Sequence, residues 1–98
     1  PVITCIGDSY ASRVAASLLN AVDLPELITN SSQEYESLAI DLAQNKDKLN
    51  VIKDKLVSNL TSTPLNDTSL FTKNLEKAYL EIYKRNQLKI EPEHIFID

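Results

Sequence analysis

An apolar run, Val2 to Ile6, ends at Gly7 and passes directly into a helical pattern. That hand-over constrains the fold more than anything else in the chain. A short run that is apolar without alternation reads as a strand buried on both faces. Strands of that kind sit in parallel sheets, whose neighbours are joined through helices. No long β-rich segment elsewhere in the chain supplies such neighbours. The chain therefore reads as the end of a larger α/β domain, and a first residue of proline favours a fragment.

The first strand is expected near residues 2–5. Gly7 permits a sharp turn out of it, and Asp8 or Ser9 stands where a side chain caps the next helix. That helix, near 9–22, carries Ala11, Val14, Ala15, Leu18, Leu19 and Val22 on one face. Pro25 ends it. Glu26 to Thr29 reads as a second strand, near 26–29, which completes a β-α-β unit with a right-handed crossover. Ser31 and Glu34 form a capping-box pattern that opens a helix near 31–44. Asn45 breaks that helix and caps a third, near 46–61, lined by Leu49, Ile52, Leu56 and Leu60. Asn66 or Asp67 caps a fourth, near 67–86, with Phe71, Leu75, Ala78, Tyr79 and Ile82 on its apolar face. Residues 87–98 form a tail that docks or stays loose. The expected architecture is thus α/β and helix-rich, a single piece over 1–98. Tyr35, Tyr79 and Tyr83 fall on helix stripes or their borders and are expected in the core.

Composition excludes several functions. The chain carries 10 basic and 14 acidic residues, a net charge of −4, with its lysines dispersed. That argues against binding nucleic acid or an anionic membrane surface. No apolar run approaches the ~20 residues of a membrane span. A single cysteine, Cys5, makes no internal disulfide, suits a reducing cytoplasm, and reads as a small buried hydrophobe. One cysteine and one histidine, His94, far apart, make neither a zinc site nor a nucleophilic triad. With one glycine in total, a glycine-rich phosphate loop is excluded within these residues. The three Asn-x-Ser/Thr sites, at Asn30, Asn59 and Asn66, read as coincidence and helix capping.

What remains is the strand-to-helix turn. In open α/β sheets, ligands sit beyond the carboxyl ends of the strands, and a helix N-terminus favours an anion. Asp8 places its own carboxylate there, which weighs toward capping over ligand contact. The Ser9 and Ser12 hydroxyls either reach a ligand or satisfy first-turn backbone groups. Arg13 lies in an alanine-rich apolar helix and is expected partly buried, paired with a carboxylate or a backbone carbonyl as a brace. Gly7, Asp8, Ser9, Ser12 and Arg13 are the candidate site residues; no catalytic residue and no metal ligand set is found in the chain.

The same turn carries a family resemblance. Gly7-Asp8-Ser9-Tyr10-Ala11-Ser12-Arg13-Val14-Ala15-Ala16-Ser17 resembles the segment Gly-Glu-Thr-(Leu/Phe)-Ala-Ser-Arg-Val-Ala-Ala-Ser of the O-linked N-acetylglucosamine transferases and their SPINDLY-like and bacterial relatives. The likeness continues through Leu24-Pro25-Glu26-Leu27-Ile28-Thr29 and Glu34-Tyr35-Glu36, resumes at Ser62-Thr63-Pro64-Leu65, and ends at Pro92-Glu93-His94-Ile95. It implies a GT-B fold of two Rossmann-like lobes, with this chain the C-terminal part of the C-terminal lobe. It implies a tetratricopeptide array upstream. The implied reaction moves N-acetylglucosamine from UDP-GlcNAc to Ser or Thr of proteins, with inversion and without a metal or other cofactor; SPINDLY-type members use GDP-fucose.

The family's Gly-His-Thr-Thr nucleotide-binding segment and its catalytic residues lie upstream of this chain. Gly7 to Arg13 then frames the donor site from behind the groups that touch it. Asp8 for Glu and Ser9 for Thr keep charge and capping but shorten reach. Phosphoinositide binding, implied for some animal members, is not supported, because Asp54 interrupts the lysines of Leu49 to Leu56. Acceptor proteins would be engaged by the upstream region, and the chain alone is expected to be inactive. The alternatives are a stand-alone helical interaction module derived from that lobe, or a different GT-B transferase. The isolated chain is expected to self-associate through the apolar edge of Val2 to Cys5.

Overall fold

The computed structural model describes residues 1–98. Strand β1 (Thr4–Cys5) leads to helix α1 (Ala11–Ala21) and a 3-10 turn (Pro25–Leu27). Strand β2 (Ile28–Thr29), helix α2 (Ser32–Gln44) and helix α3 (Lys46–Ser62) follow, then a second 3-10 turn (Pro64–Asn66) and helix α4 (Thr68–Gln87). The chain divides into two compact units, Pro1–Asn66 and Asp67–Asp98.

In the first unit β1 and β2 pair in parallel, Thr4 opposite Ile28 and Cys5 opposite Thr29. One further backbone bond lengthens this small ladder and one side-chain bond braces it. The Ile6 N–H donates to the Thr29 carbonyl at 2.8 Å, and the Thr29 hydroxyl donates to the Thr4 carbonyl at 2.9 Å. The β-α-β reading therefore holds, but β1 is shorter than 2–5 and is not buried on both faces. Val2 is 65% exposed and Cys5 is exposed too. A strand with one two-residue partner has nothing to cover its second face, so Cys5 is no core residue.

The end of α1 also differs from expectation. Asp23 adopts a left-handed backbone, φ 55°. Its N–H donates to the Asn20 carbonyl at 3.1 Å, and the Leu24 N–H donates to the Leu19 carbonyl at 2.8 Å. This is a Schellman closure, and it ends the helix before Pro25 is reached. Pro25 instead opens the 3-10 turn, where a missing N–H costs nothing. Glu26 and Leu27 consequently belong to that turn, leaving only Ile28–Thr29 as strand.

The Schellman turn drives Leu24 inward. Leu24 and Leu27 are fully buried and form the centre of a core with Leu19, Val22, Leu42 and Ile52. Only part of the predicted α1 stripe is used: Leu19 and Val22 are buried, whereas Val14 and Leu18 stay exposed, and Ala16, outside the stripe, is buried in their place. An apolar groove of about 340 Å³ opens beside them, lined by Val2, Leu18, Leu60 and Leu65 among others.

The helix starts behave as read. The Glu34 N–H donates to Ser31 Oγ at 3.1 Å, and Glu34 Oε2 accepts the Asn30 N–H at 2.8 Å, closing a capping box. Asn45 ends α2 and caps α3 by accepting the Lys48 N–H at 3.1 Å. Asn59 on α3 donates to the Val22 carbonyl at 2.7 Å, tying α3 to the end of α1.

In the second unit Asp67 caps α4, accepting the Leu70 N–H at 2.9 Å. No residue of α4 is buried. Tyr79 and Tyr83 are each 63% exposed, and Tyr35 on α2 is exposed as well, so the tyrosines are not core residues. Periodicity identified their faces but not what covers them. A second Schellman closure ends α4, with Lys89 at φ 56° and the Ile90 N–H donating to the Arg85 carbonyl at 3.0 Å. It turns the tail back along the helix. No helix of the chain is long and apolar enough to cross a membrane.

Candidate functional site

The turn after β1 is held by its own side chains. The Ser12 N–H donates to Ser9 Oγ at 3.3 Å, so Ser9 satisfies a first-turn donor of α1 although Tyr10, whose own side chain makes no capping bond, holds the N-cap position. The Ser9 hydroxyl donates to Ser12 Oγ at 3.0 Å, and the Ser12 hydroxyl donates back to the Ser9 carbonyl at 2.9 Å. Both hydroxyl hydrogens are thereby committed within the turn. Asp8 is exposed and makes no such bond; of the two residues expected to cap α1, only Ser9 reaches a first-turn N–H.

Gly7 acts by close approach. Its backbone is not left-handed. A Cβ there would stand 2.7 Å from Ser12 Oγ and 3.1 Å from Ser12 Cβ, so the Ser12 side chain packs where any other residue would put its own. The expected torsional role of Gly7 gives way to a steric one.

Arg13 reaches back across the turn. Its Nη1 donates to the Gly7 carbonyl at 3.1 Å, six residues earlier. The expected pairing with a carbonyl is present, but the side chain is exposed, not partly buried. The α1 face at Arg13 has no neighbouring element to bury it. Gly7, Ser9, Ser12 and Arg13 therefore converge on one turn, while Asp8 and Tyr10, 87% exposed, face outward. Nothing in the sequence marks Tyr10, because its place just before a helical stripe carries no periodic signal.

Parallel pairing in register sends the turns after β1 and β2 out of the same edge of the sheet. Beyond β2 lies an open cleft of about 620 Å³, lined by Thr29, Ser31, Gln33, Glu34, Ser37, Leu38 and Asp41. Its charged groups are already engaged, Glu34 in the capping box and Asp41 with Lys48. No three His, Cys, Asp or Glu side chains come together as a metal site. No buried side-chain polar atom lacks a partner.

On the other side of the core, Lys55 Nζ lies 3.0 Å from Glu26 Oε1 and 4.0 Å from Asp23. Partial burial raises the Glu26 carboxyl pKa. Its own backbone N–H, the hydrogen bond from Lys55 and the Lys55 charge together outweigh that, so the net shift is downward. This group holds α3 to the 3-10 turn and has no part in the β1 turn.

Known proteins share this arrangement of sequence. Glycosyl transferase family 41 matches residues 1–75. The probable UDP-N-acetylglucosamine–peptide N-acetylglucosaminyltransferase SEC of Arabidopsis thaliana is 38% identical over 95 residues, 96% of this chain and 10% of that protein. The probable enzyme SPINDLY of Oryza sativa subsp. japonica is 36% identical over 85 residues, 87% of this chain and 9% of its own length. The UDP-N-acetylglucosamine–peptide N-acetylglucosaminyltransferase of Caenorhabditis elegans is 34% identical over 95 residues, 97% of this chain and 8% of its own. The chain thus spans about a tenth of the length of these relatives. A family match that runs through the Gly7–Arg13 turn, both strands and α1 to α3, with relatives aligned on into the tail, makes this chain a member of glycosyl transferase family 41.

Proposed function

We propose that this chain is the C-terminal portion of the C-terminal lobe of a GT-B protein O-glycosyltransferase. That enzyme moves N-acetylglucosamine from UDP-GlcNAc to serine or threonine hydroxyls of acceptor proteins, with inversion and without a metal. The observation that carries the reading is the alignment of nearly the whole chain with relatives named as UDP-N-acetylglucosamine–peptide N-acetylglucosaminyltransferases. The parallel strand pair and the turn at its carboxyl edge fit a lobe that receives a nucleotide sugar there. The exposed groove beside α1 fits a piece whose apolar faces are covered by more of the same lobe.

In this reading the turn stays behind the donor. Arg13 and the serine pair hold Gly7 in place, and Asp8 and Tyr10 face the ligand side. The groups that perform the transfer, and those that engage acceptor proteins, belong to the rest of the enzyme. The chain alone is inactive, because catalysis by positioning needs both lobes. The compartment is the cytoplasm, where the exposed Cys5 stays reduced.

The test uses the full-length protein with an acceptor peptide, either UDP-GlcNAc or GDP-fucose, and EDTA. Mass spectrometry should find N-acetylglucosamine on the peptide from UDP-GlcNAc with EDTA present. Fucosylation instead would overturn the donor assignment, and a full-length protein that neither binds nor transfers either sugar would overturn the transferase reading. Arg13→Ala should raise the donor KM more than it lowers kcat; an unchanged kcat/KM would remove Arg13 from the donor site.

A further inference from the structure

We infer that Ile90–Ile97 is a releasable strap on α4, latched by the Arg85–Glu93 ion pair and not held by a core. After the Schellman turn at Lys89, no backbone–backbone hydrogen bond ties the segment down beyond the Ile90 N–H to the Arg85 carbonyl. Ile95 and Ile97 are half-buried against the helix, while Phe96 between them is 88% exposed. No residue of the second unit is buried. Cavities of about 300 and 340 Å³ flank the strap, and Arg85 lines both.

The latch is built on α4. Arg85 Nε donates to Glu81 Oε1 at 2.8 Å, one helical turn earlier, which fixes the plane of the guanidinium. Its Nη1 then donates to Glu93 Oε1 on the strap. Arg85 is 25% exposed and Glu93 62%, so the cation is the more enclosed partner and the anion the more solvated one. Lys77 Nζ adds one contact, donating to the Asp98 carbonyl at 2.9 Å.

A segment without a ladder and without a core sits at the low end of local stability. An exposed ion pair shifts its closing equilibrium by only about two- to fivefold, and salt screens it. The strap therefore opens readily, and opening frees only the sides of Leu80 and Ile82 that line its two flanking cavities, since both are already exposed.

The test measures maleimide labelling in the full-length protein, read by peptide mass spectrometry so that other thiols do not interfere. Separate Ile95→Cys, Ile97→Cys and Phe96→Cys variants report the two inward positions and the outward one. Positions 95 and 97 should label several-fold more slowly than 96. Adding Glu93→Gln, which leaves the Arg85–Glu81 pair intact, should speed 95 and 97 about two- to fivefold and leave 96 unchanged. Arg85→Gln should do the same, with no further gain in the double variant, and 1 M salt should reproduce it. Equal rates at all three positions, or rates at 95 and 97 indifferent to Glu93→Gln, would overturn the strap.

Discussion

Gly7→Ala isolates what the turn is built on. The Gly7 backbone is not left-handed, so alanine meets no torsional objection there. The objection is Ser12: the new methyl would lie 2.7 Å from its Oγ. Ser12 can withdraw only by rotating its hydroxyl away, which breaks its 2.9 Å bond to the Ser9 carbonyl and the 3.0 Å bond it accepts from the Ser9 hydroxyl. Both bonds are exposed, so each is worth about 0.5 to 1 kcal/mol, and Gly7→Ala should cost about 1–2 kcal/mol. Ser12→Ala alone should cost about 1–2 kcal/mol through the same two bonds. In Gly7→Ala/Ser12→Ala those bonds are lost once, and only the 3.1 Å contact with the Ser12 Cβ remains. The double variant should then be about as stable as the worse single one, a coupling of about 1–2 kcal/mol. Urea denaturation followed by far-UV circular dichroism on the four proteins measures it. Costs that simply add would refute the steric account.

Leu27→Ala should cost about 2–5 kcal/mol, because Leu27 is fully buried, whereas Leu75→Ala on the open face of α4 should cost under about 1 kcal/mol; denaturation midpoints separate the two. Asp23→Gly and Lys89→Gly should each stabilise the chain by about 0.5–1 kcal/mol, since both residues occupy left-handed turns that suit glycine, partly offset by the freer unfolded chain. Thermal melting checks both, and a loss of stability would contradict the Schellman assignments. Glu26→Gln should destabilise by about 0.5 kcal/mol at neutral pH, after discounting for solvent screening. The native carboxyl sits below its ordinary value of 4.5, so its contribution is complete above that value and fades as the pH falls through the native one. Wild type and Glu26→Gln should converge in acid, and a gap that widens there would reverse the sign of the shift.

Local chemistry was legible where one residue decides it. Ser31, Asn45 and Asp67 cap α2, α3 and α4 as their side-chain oxygens require. The parallel strand pair was legible too, because an apolar run, a helix and a second short β-tolerant segment allow little else. The end of α1 was not, since a Schellman turn usually announces itself by glycine and here the left-handed residue is Asp23. Pro25 drew attention as a breaker although it begins the next turn. Burial was the least legible property. The stripes of α1 and α4 are real, yet Leu18, Tyr79 and Cys5 are exposed, because a stripe records which face seeks cover and not whether this stretch of chain supplies it. Of the candidate site residues, Arg13 disclosed the kind of partner it needs but not its exposure, and Gly7 disclosed a turn but not the reason for its lack of a side chain.

Two links position the β1 turn, and they act on different things. The bond from the Ile6 N–H to the Thr29 carbonyl is the last rung of the ladder and anchors the turn to the sheet edge. The bond from Arg13 to the Gly7 carbonyl anchors it to α1. Neither passes through the buried core, whose members lie at the far end of α1, in the turn before β2, and at Leu42 of α2 and Ile52 of α3. Removing the arginine therefore leaves the rung and the core in place, and the turn survives but loses its fixed height above the helix. The Ser9–Ser12 pair cannot restore that height, because its bonds run only within the first turn of α1. Arg13 is thus a side chain whose loss moves the turn without unfolding the chain, so stability preserved alongside a displaced turn separates a positioning role from a merely structural one.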